Sequence, residues 1–332
     1  MQNAGGISEK PGRIARTCGP LITVAICTHN RAAFLEKAVR SVLRQMTGDT
    51  EILIIDNASA DDTPAVAARL AAANPSVKVL REDELGLSAA RNAALKNAHG
   101  EFVLFLDDDA KAEPDWLAAY QRFLSTPPSR KIAVVGGAVF NEYEISVPKW
   151  GNASAAFNSS GPPKCLPYRG SLYGGNIAYR REAALAAGMF DTRLGRKGKQ
   201  RMSREESDLN LRLQDAGYEV WWLPNAAILH FVPVSRMKFR ENMRGRFAEG
   251  RSIAIQRLKS RRDGLDCGFY RTARVMGAPL HVLAHLLAAL VTWPFNYPKA
   301  AEHLLQACRN CGLAWQLLVE ANRHGQSAHA QS

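Results

Sequence analysis

Apolar residues in the first half of the chain fall into short runs rich in Val, Ile, Leu and Phe, separated by longer Ala-rich stretches of helical period. LITVAIC (Leu21 to Cys27), EILIIDN (Glu51 to Asn57), VKVLRE (Val77 to Glu82), FVLFLDD (Phe102 to Asp108) and IAVVGGAVF (Ile132 to Phe140) are strand-like and end in turn or cap residues. Ala32 to Leu43, Thr63 to Ala73, Ser88 to Ala98 and Pro114 to Leu124 read as helices, with Asp62 or Thr63 and Ser88 in the N-cap role. Strands alternating with helices in this way predict an α/β fold built on a mostly parallel sheet flanked by helices.

Beyond Phe140 the pattern loosens around Pro148, Gly161, Pro162, Pro163 and Pro167, which predicts a loop over the active face. Regular structure resumes at SLYGGNIAYRREAALAAG, followed by a helix from about Ser203 to Ala216 and two strands, EVWWLP and AAILHFVP. The tail is helical: a basic helix from about Ser235 to Ser260, an apolar run from Val275 to Phe295, and an amphipathic segment from about Pro298 to Asn322. The resulting division is a flexible leader (1–20), an α/β catalytic domain (21–232) and a C-terminal helical extension (233–332).

A chain of 332 residues, 46% of them hydrophobic, can bury a sizeable core. Its formal net charge of +12 changes the picture more, because it calls for a polyanionic partner: nucleic acid, anionic lipid or a phosphate-bearing substrate. The excess is concentrated between Arg236 and Arg262, where only Glu241 and Glu249 oppose it, and that placement beside the apolar run suggests an anionic membrane surface. The apolar run has roughly the 20 residues a span needs. Pro279, His281, His285 and Pro294 interrupt it, so an interfacial or tightly packed helix fits better than a crossing one. The scattered cysteines fit a reducing compartment, and the lone Cys308-x-x-Cys311 pair lacks the second half of a zinc site. The expected location is the cytoplasm, at the inner face of the membrane.

Ligands of open α/β sheets gather at the carboxyl ends of the strands. Here those ends are polar: Thr28, His29, Asn30 and Arg31 after the first run, Asp56 and Asn57 in the second, and Asp107, Asp108 and Asp109 after the fourth. No G-x-G-x-x-G follows the first strand, which argues against a dinucleotide-binding oxidoreductase. Three adjacent carboxylates repel one another unless a cation compensates, and Mg2+ or Mn2+ held by one or two of them with phosphate oxygens is the economical solution. Asp109 and His230 end two different strand-like runs with ligand types suited to that ion. Glu206 lies in Glu205-Glu206-Ser207-Asp208, the first turn of an amphipathic helix anchored by Leu209 and Leu213, and is a candidate general base with Glu205 and Asp208 as alternatives. The helix terminus favours its ionised form, whereas the neighbouring acids oppose it.

Together these residues resemble the family-two glycosyltransferases, from about Leu21 to His230. Six segments match in order: VAICTHNR, EILIIDNASADDT, GLSAARNAAL, FLDDDA (the family's D-x-D region), GGNIAYRREAALAAGMFD and REESDLNLRLQDAGY. The resemblance implies a GT-A fold and an inverting, metal-dependent transfer of sugar from a nucleotide-diphosphate donor, most commonly UDP, to a hydroxyl of a glycan or lipid-linked acceptor. Cell-surface polysaccharide or glycolipid synthesis is the implied setting. Thr28 and Asp56 would contact the nucleoside base, Arg91 the base or phosphates, and Asp107 the ribose or sugar. Asn30, Arg31 and Asp108 complete the expected donor site, Asp109 and His230 would hold the metal, and Glu206 falls at the general base. His29 stands where the family has tyrosine, Arg204 where it has glycine, and Glu206 where aspartate is commoner. A sugar-phosphate nucleotidyltransferase would need a Gly-rich basic loop in place of THNRAAF. A non-catalytic membrane-surface or nucleic-acid binder is the other alternative, but the acid cluster disfavours polyanions there, and no nucleic-acid partner is expected.

Overall fold

The computed structural model describes residues 22–48, 50–150, 161–170, 172–259 and 267–329, with backbone alone for 267–274 and 321–329. The proposed leader, the 151–160 part of the expected loop, and Arg261 and Arg262 lie outside the described residues.

β1 (Ile22–Thr28), β2 (Thr50–Asn57), β3 (Val77–Glu82) and β4 (Phe102–Leu106) form the parallel half of a nine-stranded sheet. The full order is β3-β2-β1-β4-β8-β6-β11-β5, with β5 (Ala110–Ala112), β6 (Ile132–Tyr143), β8 (Asn176–Arg180) and β11 (Glu219–Val232); β7 (Lys164–Cys165) pairs with β11 off this path. β8 runs antiparallel between β4 and β6, while β6 and β11 are parallel to each other. The sheet is thus mixed, with its principal strands sharing one direction.

Alternation along each strand sends side chains to two layers. Ile22, Val24 and Ile26 of β1 join Leu35, Val39 and Val42 of α1 (Ala32–Leu43), Leu70 of α2 (Thr63–Ala73), and Trp116 and Tyr120 of α4 (Trp116–Ser125). Ala25, Leu53 and Ile55 face the opposite layer, where they meet Ala90 and Ala94 of α3 (Leu87–Asn97), Ala184 of α5 (Arg181–Ala186), and Leu209 and Leu213 of α6 (Glu205–Asp215).

Two local expectations are corrected. Ser88 is not the N-cap of α3: Gly86, with φ of 148°, takes that position, and the Ser88 hydroxyl donates to the Leu194 carbonyl at 2.8 Å. EVWWLP and AAILHFVP are one strand, β11, whose register against β6 slips between Leu223 and Ile228. Pro224 explains both the sequence break and the slip, because it cannot donate to the ladder and is accommodated at an irregularity. Asn176, fully buried, pins this region. Its Nδ2 donates to Ala138 and Ala226 carbonyls at 2.8 Å each, while its Oδ1 accepts from Trp116 Nε1 at 2.8 Å and Tyr120 hydroxyl at 3.0 Å.

After a short 3-10 turn (Val234–Met237), the extension comprises α7 (Phe239–Lys259), α8 (Cys267–Thr292) and α9 (Tyr297–His329), with α9 packed against both others. Gly250 and Gly312 bring α7 and α9 close: a Cβ on either would stand 1.9 Å from a carbonyl oxygen of the other helix. Ala248 and Ile255 of α7 join Leu194 and Met202 in a small core that ties the extension to the sheet layers. α8 is left on the outside, with Leu280 71% and Leu290 72% exposed.

Replacing Asn176 by Ala leaves an indole N–H and two carbonyls without partners in the interior, each costing about 1–3 kcal/mol. Asn176→Ala should therefore lower the unfolding free energy by about 3 kcal/mol or more in urea titrations. A loss under about 1 kcal/mol would show that the bulge is held by other contacts.

Candidate active site

Strand order reverses between β1 and β4, the position at which a crevice opens beyond the carboxyl ends of α/β sheets. A cavity of about 1120 Å³ lies there, bounded by the ends of β1 and β4, the starts of α3 and α6, the hairpin of β9 (Arg196–Lys197) and β10 (Gln200–Arg201), and one face of α7. Pockets of about 300–1,000 Å³ suffice for single ligands, so this one has room for more than a donor.

Asp107, Asp109 and His230 each bring one ligand atom to within 4.8 Å of the others. His230 arrives on β11, which pairs with β5 immediately after the acidic triplet, so His230 opposes Ala110. Its Nδ1 meets the Oδ1 of Asn141 at 3.2 Å, which orients the ring with Nε2 toward the acids, 3.4 Å from Asp109 Oδ1. Tyr173 hydroxyl touches both Asp107 Oδ2 at 3.3 Å and His230 Nε2 at 3.1 Å. Gly175 is required beside them, since a Cβ there would fall 2.2 Å from Asp107 Oδ2. Two carboxylate oxygens and an imidazole nitrogen, oriented by Asn141 and Tyr173, form a donor set that fits Mn2+ or Mg2+.

Cations already crowd this cluster. Arg31 Nη1 lies 2.9 Å and Arg236 Nη2 3.1 Å from Asp109 Oδ2. Burial would raise the Asp109 carboxyl, but His230, Arg236 and Arg31 together hold it well below the usual carboxylate range. Asp108 differs. Burial pushes it up to about 7, despite Arg31 and the hydroxyl of Thr28, which donates to Asp108 Oδ2 at 2.7 Å.

Arg91 is buried on the wall between the two acidic groups. Its Nη1 bonds Glu205 Oε1 at 2.9 Å, its Nη2 donates to the Gly174 carbonyl at 2.9 Å and lies 3.6 Å from Asp107, and Phe105 and Phe190 flank its guanidinium. Within α6, Glu205 is thereby committed to Arg91, and Asp208 to Arg212 at 2.9 Å and Lys259 at 3.1 Å. Glu206 lines the cavity and makes no ion pair among the described residues. Burial, followed by the charge of Glu205, pushes its carboxyl up to about 8, so these two outweigh the helix terminus. Arg204, where the family resemblance places glycine, has φ of 71°, a left-handed conformation that explains the glycine preference. Its Nε donates to Gln256 of α7 at 2.9 Å.

Thr28, Arg31, Arg91, Asp107, Asp108, Asp109 and Glu206 all line the cavity, and His230 joins through the metal-type cluster. Asp56 and Asn30 are held just outside the lining. Asp56 pairs with Arg81 at 2.8 Å, and Asn30 Oδ1 accepts backbone N–H groups of Ala60 and Asp61, linking the loops after β1 and β2. His29 is on the lining, with Nδ1 2.6 Å from the Asn57 carbonyl. Sequence reasoning missed Tyr173, Asn141 and Arg196, and took Arg236 only as part of a basic run. The Y-G-G-N order at Tyr173 to Asn176 was the available signal, whereas nothing local marks Asn141.

Comparisons with known proteins agree with this geometry. The family model for Glycosyl transferase family 2 matches residues 23–186. A glucosyl-dolichyl phosphate glucuronosyltransferase of Haloferax volcanii is 25% identical over 226 residues, covering 66% of this chain and 71% of that protein. The succinoglycan biosynthesis protein ExoM of Rhizobium meliloti is 27% identical over 273 residues, covering 78% and 85%. In fold, the chain is similar to the mannosyltransferase PcManGT from Pyrobaculum calidifontis, solved in complex with GDP-Man and Mn2+: TM-score 0.54 and 20% identity, over 95% of this chain and 79% of that one. The acid-bearing strand ends, the GT-A architecture and the family match converge, and residues 23–186 of the chain form a glycosyl transferase family 2 region.

Proposed function

We propose that this glycosyltransferase moves a sugar from a nucleoside-diphosphate donor to an acceptor hydroxyl with inversion, using Glu206 as general base. The observation that carries the assignment is the division of labour on α6: Glu205 and Asp208 are neutralised by cations, while Glu206 faces the cavity unpaired and is tuned to about 8. A base poised near working pH gives effective proton removal.

Asp107, Asp109 and His230 would hold a divalent ion, Mn2+ being consistent with the ligands of the mannosyltransferase above. When bound, such an ion neutralises charge building on the departing diphosphate. Arg31 and Arg236 stand beside Asp109, positioned to take part in phosphate binding. Thr28, His29 and Asn57 offer polar and aromatic groups to the nucleoside at the β1 end, with Asp56 and Asn30 bracing that loop from behind. Arg91 fixes Asp107 relative to Glu205, and so fixes the donor end of the site relative to the base.

The extension supports a membrane-surface location. Val275–Thr292 has mean hydropathy 1.8 with only 6% buried, although α8 packs on α9 through its inner face. The short link makes α8 and α9 neighbours, so a spanning α8 would carry Glu302, Arg309 and Asn310 of α9 into hydrocarbon. Lying in the interface leaves those groups wet, with Trp293 and Tyr297, 4.8 Å apart, at its end. A lipid-linked acceptor, as in the name of the Haloferax relative, suits that setting.

Asp109→Ala should abolish Mn2+-dependent stabilisation by nucleoside diphosphates in thermal-shift assays. Gly175→Ala, which displaces Asp107, should weaken Mn2+ affinity roughly 10- to 100-fold. Unchanged affinity in both would refute the metal assignment.

Because the Glu206 carboxyl ionises only as pH passes about 8, kcat/KM should rise with pH and level off above that value. Glu206→Gln should retain nucleotide binding, lose turnover by at least about 10²-fold and lose this pH rise. Normal turnover in that variant, with Glu205→Gln or Asp208→Asn dead, would move the base elsewhere on α6.

Leu283→Glu with Leu290→Glu, both on the exposed face of α8, should release the protein from anionic vesicles in sedimentation assays without altering its melting temperature. Equal binding by the variant would place the lipid contact on another surface.

A further inference from the structure

The cavity has a second wall opposite in character to the acid cluster. The β9–β10 hairpin contributes Arg196, Lys199 and Arg201 to it, and α7 contributes Arg244 and Arg251. Glu241 is the one carboxylate among the described lining residues from these two elements, and it is shared by Arg201 and Arg244. Arg251 bonds only the neutral Gln316, at 2.9 Å, and neither Arg196 nor Lys199 has a carboxylate partner among the described residues. Such an uncompensated surplus at the exposed rim of a concave site raises the local concentration of anions.

Arg196 is near enough to Arg236 and Tyr173 for its charge to act on both, so it belongs with the donor end, but the donor diphosphate does not account for Lys199, Arg201, Arg244 and Arg251. Asp107, Asp109 and His230, with Arg31 and Arg236 beside them, already form the place for those phosphates, and they belong to the β1, β4 and β11 ends. From Arg244 to Arg251, α7 rises by about 10 Å, so the basic wall extends well along the cavity. Met243 and Phe247 lie one turn apart on the same lining face, interleaving apolar surface with the cations. That mixture suits a phosphate ester carrying a hydrocarbon or sugar substituent better than a bare anion.

We propose that the hairpin and α7 form an acceptor subsite for a phosphate group, so that the enzyme glycosylates a phosphate-bearing acceptor. The proposal rests on the glycosyl-transfer reading above. In that reaction the acceptor oxygen bonds to the anomeric carbon, the bond from that carbon to the donor diphosphate breaks, its electron pair leaves with the nucleoside diphosphate, and the hydroxyl proton goes to Glu206. The acceptor phosphate takes no covalent part; it anchors the acceptor while its hydroxyl approaches the base.

Calorimetric titration of farnesyl phosphate, inorganic phosphate and farnesol into protein saturated with Mn2+ and its preferred nucleoside diphosphate tests this. Farnesyl phosphate should bind without displacing the nucleotide, and more weakly as salt rises. Lys199→Glu with Arg244→Glu should lower that affinity by at least about tenfold and leave nucleoside-diphosphate affinity unchanged, with the Gln pair intermediate. Melting temperatures of the two pairs guard against misfolding. Inorganic phosphate binding as tightly as farnesyl phosphate supports a soluble phosphorylated acceptor; a strong preference for farnesyl phosphate supports a lipid-linked one. Farnesol binding equally well, displacement of the nucleotide, indifference to both variant pairs, or no binding of either phosphate probe overturns the subsite. Failure of the wild type to bind any nucleoside diphosphate with Mn2+ would instead remove the glycosyl-transfer reading itself.

Discussion

Carboxylates converge on the cavity from two unrelated places, the end of β4 and the start of α6, and the buried guanidinium of Arg91 is what allows them to coexist. It reaches Glu205 at 2.9 Å and Asp107 at 3.6 Å, with the rings of Phe105 and Phe190 on either side. Burial alone would favour loss of its proton, but Glu205 and Asp107 keep it charged. A buried ion pair of this kind adds little net stability against an apolar replacement, yet removing one partner strands the other at a cost of about 3–5 kcal/mol. Its effect here is therefore geometric: α6 is held at a fixed distance from the acidic triplet, and Glu206 with it. Glu205 absorbs the cation, and its charge in turn raises the adjacent Glu206 into the range where a carboxyl can exchange protons near neutral pH.

The same acids set demands on the rest of the molecule. Asp107 is approached so closely by the chain after the 161–170 segment that only glycine fits at position 175. The left-handed turn before α6 is borne by Arg204, whose side chain reaches Gln256 on α7, so backbone strain at the start of α6 is coupled to the extension. α7 is in this way part of the site as well as its cover. It supplies one lining face, while its other side closes on α9 through Gly250 and Gly312.

Charge is sorted by position. Part of the basic run that in sequence looked like a membrane-binding helix borders the cavity instead, through Arg236, Arg244 and Arg251, while Lys238 and Arg240 stand exposed. α8 presents an apolar surface, where Leu280, Leu287 and Leu290 stand open to solvent, with Phe295 just beyond its end.

The sequence by itself determined the α/β alternation and the strand-end residues, because both are local: a buried strand must read as an apolar run, and the first residues past it must lie at the ligand edge. Thr28 and the Asp107 to Asp109 triplet are legible on that ground, Glu206 from the acid-rich first turn of an amphipathic helix, and the glycine preference at position 204 from the family resemblance, though its cause, φ of 71°, is not. Only tertiary structure decided which acid on α6 is free, because that depends on Arg91, Arg212 and Lys259, which lie from 4 to 114 residues away in the chain. It also decided that Asp56 and Asn30 brace the loops while Tyr173 and Asn141 touch the metal-type cluster. Pairings between distant strand ends are fixed by sheet order, here the placement of β11 beside β5 and β6, and no residue-by-residue periodicity encodes that order.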